Sequence, residues 1–117
     1  MKRFFKSFDY AFNGILTSIK NERNIKIHII IMILVIIFGI ILKISKIEWI
    51  ICIILFGLVI SMELMNTAIE NTVDLITKEK NEQAKIIKDT AAGAVLVTAI
   101  VAAIIGLIIF IPKIFNI

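Results

Sequence analysis

Residues 61–77 read SMELMNTAIENTVDLIT and follow WIICIILFGLVI, residues 49–60, a run without a single charge. The second stretch is apolar enough for a membrane, yet it leads into Glu63, Asn66, Glu70 and Asp74, each three or four residues after the last. At about 100° per residue these four side chains fall on one narrow stripe of a helix. An apolar helix that carries an acidic stripe at one end decides both the fold class and where to look for chemistry.

Working outward, the chain has 117 residues, of which 60% are hydrophobic, and its charges are confined to a few short segments. Soluble domains spread their charge over a surface, so this is the composition of an integral membrane protein. Ile25 to Leu42 forms an apolar stretch of spanning length, with Lys26 and His28 only near its start. KISKIE, residues 43–48, is a tight polar connection, and Trp49 stands where an interfacial anchor is expected. KEKNEQAK, residues 78–85, reads as a charged loop, and a further apolar stretch runs from Ala91 to Phe110 before Pro112.

At the N-terminus, Phe4, Phe5, Phe8, Phe12, Ile15, Leu16 and Ile19 recur at helical spacing, opposite Arg3, Lys6, Tyr10, Asn13 and Thr17. That pattern suits a helix lying in the membrane interface. No small-residue cleavage site follows a continuous apolar core, so the segment is expected to stay in the mature chain. The expected architecture is an all-α membrane protein in one domain, 1–117: an amphipathic interfacial helix at 1–20 and membrane helices at 25–42, 47–73 and 88–111.

Lys and Arg number six before the first span (2, 3, 6, 20, 23, 26), two in the first loop (43, 46), four around the second (78, 80, 85, 88) and one in the tail (113). The positive-inside bias places the N-terminus and the second loop in the cytoplasm, in a multi-pass plasma-membrane protein. The lone Cys52 lies in an apolar run and reads as a small hydrophobe. Ala99 with Ala103, and Ala102 with Gly106, are small-xxx-small pairs that permit close helix contact and point to oligomerisation.

A rise of about 1.5 Å per residue gives depth. Measured from Ile47, Glu63 lies roughly 24 Å into a hydrocarbon core of about 30 Å. Glu70 lies at roughly 35 Å, Glu22 at roughly 33 Å counted back along the first span, and Asp89 at roughly 35 Å along the third. Three carboxylates from three helices thus reach the level where headgroups meet cytosol, with one more inside the acyl region.

An ionisable group at that depth costs about 2.5 to 3.5 kcal/mol on insertion scales and normally faces protein or water with a task. Carboxylates at the water level suit Mg²⁺, which keeps several waters and prefers one or two carboxylates plus phosphates. Lys88 beside Asp89, with Arg3, offers charge for a phosphate. A deeper carboxylate suits a base for a hydroxyl held at the lipid surface, and the combination suggests phosphoryl transfer from a nucleotide to a membrane alcohol. The chain has no G-x-x-x-x-G-K-[ST], no Gly-rich kinase loop and no H-R-D or D-F-G, which excludes the common soluble kinases. Residue types alone leave two other classes open: a small pore whose water is lined by Glu63, Asn66 and Glu70, and an assembly or regulatory subunit. No nucleic-acid partner is expected.

The stretch ELMNTAIENTVD, KDTAAGAVL fifteen residues after Asp74, and an N-terminal helix with Arg3, Tyr10 and the Asn21–Glu22 pair together resemble the small prokaryotic diacylglycerol kinases. The resemblance covers nearly the whole chain. His28, Glu48 with Trp49, NTAIE and KDTAAGAV resemble the Gram-positive branch, whose members phosphorylate undecaprenol; phosphorylation of diacylglycerol is the alternative.

The resemblance implies an ATP- and Mg²⁺-dependent lipid kinase assembled as a homotrimer, with active sites between neighbouring chains. It implies Glu63 as catalytic base, Glu22 and Glu70 as magnesium and nucleotide carboxylates, and Arg3, Tyr10, Lys88 and Asp89 as ATP contacts. Glu79, Lys80 and Asn81 join the ATP contacts by loop position, and Asn66 and Asp74 support the site. Ala91 and Ala92 stand where diacylglycerol-preferring members carry a serine after K-D.

Overall fold

A computed structural model describes residues 1–117 as four helices and no strand: α1 Lys2–Asn21, α2 Arg23–Ile41, α3 Lys46–Ile76 and α4 Glu82–Phe115. The last three, of 19, 31 and 34 residues, are each long and apolar enough to cross a membrane. At about 1.5 Å per residue α3 is some 46 Å long, so its last third extends beyond a hydrocarbon core of about 30 Å.

Glu22 alone separates α1 from α2, with extended backbone (φ −106°, ψ 122°) that interrupts the helix. The α2–α3 connection is equally tight. Lys43 is left-handed (φ 52°), its N–H bonds to the Ile40 carbonyl, and the Ile44 N–H bonds to the Gly39 carbonyl. This is a Schellman ending with lysine in the position usually given to glycine. Ser45 then opens α3 through a reciprocal capping box with Glu48.

The two ends of α4 differ most from those read in the sequence. Half of the charged 78–85 segment is helical: the loop spans only 77–81, because the Asn81 side chain caps α4 by accepting from the N–H groups of Gln83 and Ala84 at 2.8 and 3.2 Å. At the other end α4 runs through Pro112 to Phe115. A proline three residues before the end removes one backbone donor and leaves a single remaining turn, which closes with the Ile117 N–H on the Pro112 carbonyl.

α4 lies along α3 over much of its length, α2 packs more sparsely on α3, and α1 touches both only lightly. A small core of Ile44, Cys52 and Ile109, joined by Val35, Trp49, Phe56 and Phe110, sits where the α2–α3 turn meets the end of α4. Cys52 is free and buried in it. Lys113 and Glu48, 3.5 Å apart, close the same end. Elsewhere most of the Ile, Leu and Phe side chains point outward, as expected where acyl chains and not water are the solvent.

Trp49, expected as an interfacial anchor, lies against α2. A Cβ built on Gly39 would stand 2.7 Å from one carbon of its ring and 3.1 Å from Ile44. Gly39→Ala is therefore expected to force the ring and the turn apart and to cost about 1–3 kcal/mol, as overpacking does. The check is a lower unfolding midpoint in detergent, with Gly57→Ala as the control, since nothing lies within 4 Å of a Cβ there.

The small-xxx-small pairs of α4 also face the other two spans of their own chain. Ala99, Ala102, Ala103 and Gly106 line an apolar cavity of about 500 Å³ whose other walls are α2 and α3. Small side chains on α4 here leave space open within one chain, and His28 is the polar side chain on its wall.

Candidate active site

α3 positions the central residues. Glu63, Asn66 and Thr67 occupy one buried face, exposed by only 2%, 5% and 6%. Ile25, fully buried on α2, packs at the same end of the molecule. Burial of an acid within a spanning helix requires a polar neighbour. That neighbour is His28 on α2, whose Nε2 lies 3.5 Å from Glu63 Oε2.

One turn on, the Asn66 amide donates from Nδ2 to Glu70 Oε1 at 3.1 Å. A carboxylate oxygen accepts, so this contact fixes the amide's orientation and turns Asn66 Oδ1 the other way. Asn66 Oδ1 is buried with no donor, and the Thr67 hydroxyl is buried with no partner. Thr72 and Thr90 bond back to the carbonyls four residues earlier, the usual recourse of a helical threonine, whereas Thr67 does not. Such open buried polar atoms are exceptions, since most buried polar groups in native structures are paired. Thr67 was not singled out in the sequence; its position directly after Asn66, one turn from Glu63, was the available signal.

Beyond the bilayer level, Lys88 on α4 reaches back to Asp74 on α3 at 2.6 Å, and Asp89 is held by Lys85, also at 2.6 Å. Lys88 and Asp89 are thus neighbours in sequence with separate partners, and the charge read as available to a phosphate is engaged within the chain. The Asp74–Lys88 pair ties the end of α3 to the start of α4 across the 77–81 loop. In that loop Glu79 and Lys80 are exposed, while Asn81 spends its carbonyl oxygen on the α4 cap.

Glu22 is half-buried at the α1–α2 junction, and its side chain makes no capping bond. Arg3 and Tyr10 are exposed on α1. Along that helix Arg3 stands about 28 Å from Glu22 and Tyr10 about 18 Å. No three acidic, histidine or cysteine side chains gather as a metal-binding group.

What this arrangement offers is a sequestered carboxylate at membrane depth, a polar turn above it and a charged rim. The family described as prokaryotic diacylglycerol kinase matches residues 9–110. The chain belongs to the prokaryotic diacylglycerol kinase family. As a member it is a lipid kinase of the membrane, which sets aside the pore and the regulatory subunit.

Two relatives illustrate the range of the family. The chain is 50% identical over 113 residues to the undecaprenol kinase of Bacillus subtilis, covering 97% of this kinase and 92% of that protein. It is 38% identical over 111 residues to the diacylglycerol kinase of a Synechocystis species, covering 94% of this kinase but 63% of that protein.

Proposed function

We propose that this kinase transfers the γ-phosphate of ATP to the hydroxyl of undecaprenol at the cytoplasmic face of the plasma membrane, working as a homotrimer with 1–117 as its single domain. The observation that carries the reading is Glu63: a carboxylate exposed by 2%, deep in α3, one turn below the Asn66–Glu70 pair. The lipid O–H proton passes to Glu63 as the lipid oxygen bonds to the γ-phosphorus and ADP leaves with the bridging oxygen.

Glu22 and Glu70 are the residues to hold Mg²⁺. Glu70 has one oxygen on Asn66 and the other unengaged, and Glu22 makes no capping bond, so both retain acceptor capacity. Mg²⁺ is commonly held by one or two carboxylates and takes its other ligands from water and phosphate. When bound there, the ion would neutralise phosphate charge. Asn66 keeps the Glu70 carboxylate aimed, and Asp74 holds Lys88 at the rim. Arg3, Tyr10, Glu79, Lys80, Asn81, Lys88 and Asp89 are the proposed nucleotide contacts.

One feature supports assembly from several chains. Arg3 lies too far along α1 to meet a nucleotide at Glu22 of its own chain, so a site using both draws on two chains. The exposed Phe4, Phe5, Phe8 and Phe12 supply the side of α1 that rests on the membrane, and the excess of Lys and Arg before α2 and around the 77–81 loop sets that side as cytoplasmic.

Diacylglycerol is the second reading, favoured by the more distant Synechocystis relative. The test is competition: the purified full-length chain, Mg²⁺ and radiolabelled ATP, with both lipids in one detergent mixture. Label predominantly on undecaprenol is expected. Label predominantly on diacylglycerol would select the second reading.

A further inference from the structure

His28 is the only histidine in the chain, and neither nucleotide nor metal binding gives it a task. It sits on α2, 19% exposed, and brings its Nε2 to 3.5 Å from Glu63 Oε2 on α3. On its other side it forms part of the wall of the apolar cavity between α2, α3 and α4, where thirteen of fifteen lining residues are hydrophobic. Glu63 makes no side-chain hydrogen bond to Asn66, whose amide is committed to Glu70. His28 is thus the polar group that meets the buried carboxylate, and it does so from the neighbouring helix.

A base has to be aimed as well as present. A carboxylate on a two-carbon stem, among apolar neighbours, keeps rotamer freedom unless something fixes one oxygen, and a misplacement of about 1 Å at a reacting group costs about 10²-fold. We propose that His28 is the positioning residue for Glu63: its Nε2–H holds Oε2 so that Oε1 faces the lipid hydroxyl. This rests on the reading of Glu63 as the base. At 3.5 Å the contact is longer than a closed N–H···O bond, a common state of catalytic hydrogen bonds before substrate arrives.

The test compares His28→Leu and His28→Gln in the full-length chain in detergent, with undecaprenol, diacylglycerol and Mg-ATP. His28→Leu removes the donor, and His28→Gln keeps an amide N–H. The expected result is a fall in kcat of about 10- to 100-fold for His28→Leu with KM for ATP unchanged, and recovery of most of it in His28→Gln. Because His28 acts through Glu63, adding His28→Leu to Glu63→Gln is expected to cost little more, whereas a merely structural contribution would multiply the two losses.

Wild-type kcat in His28→Leu, equal losses in the Leu and Gln variants, or multiplied losses in the double variant would each overturn the proposal while leaving the kinase reading intact. A wild-type chain that labels neither lipid would instead overturn the kinase reading, and this inference with it.

Discussion

Glu63→Gln is expected to lower lipid phosphorylation by about 10³-fold, within the range that general-base catalysis supplies. Glutamine keeps the volume and a carbonyl acceptor but cannot take the hydroxyl proton. The substitution removes a charge from a site exposed by only 2%, so the fold should hold or gain slightly. An unchanged or raised unfolding midpoint in detergent, with turnover of undecaprenol nearly gone, is the result that ascribes the loss to chemistry. A variant that retained a tenth or more of wild-type turnover would place the base elsewhere.

The second large effect concerns assembly. If each active site takes Arg3 from one chain and Glu63 from another, Arg3→Ala and Glu63→Gln homotrimers are both nearly inactive, yet trimers assembled from a mixture contain sites in which both residues are intact. Refolding the two variants together at equal ratio is expected to restore about a quarter of wild-type turnover, the fraction of sites that draw both residues from unaltered copies. Turnover that stays at the level of the separate variants would mean that each chain builds its site alone, and α1 would then have to approach α3 far more closely than its light contact in the single chain.

Much of the fold was legible because hydrophobic run length is a direct physical constraint in a membrane. The apolar stretches from Ile25 and Trp49 and the one ending at Phe110 became α2, α3 and α4 with ends displaced by a few residues. The displacements have local causes. Asn81 captures two N–H groups and starts α4 early, and α4 tolerates Pro112 because only one turn follows it. Composition along the chain carries no information about such caps until their geometry is known.

The site was legible where helical periodicity decides it. Glu63 and Asn66 fall on one buried face, and Glu70 joins them through the Asn66 amide. It was not legible where partners come from another helix. Lys88 and Asp89 are adjacent in sequence, so they read as one charged unit, yet successive helical residues point about 100° apart. One consequently meets α3 at Asp74 while the other meets Lys85 on its own helix. His28 stood out in the sequence as a polar residue near the start of the first span, and only the crossing of α2 and α3 reveals that it meets Glu63. That the small residues of α4 also line a cavity facing α2 and α3 is visible only once the three helices are placed together.

If labour is divided along α3, Glu63 acts on the lipid and Glu70, two turns nearer the cytosol, holds the metal-bound nucleotide. The most direct test is a calorimetric titration of ATP in the presence of Mg²⁺ into the full-length wild type, Glu63→Gln and Glu70→Gln. Wild-type affinity in Glu63→Gln with at least tenfold weaker binding in Glu70→Gln is the predicted result. Equal weakening in both variants, or none in Glu70→Gln, would contradict it.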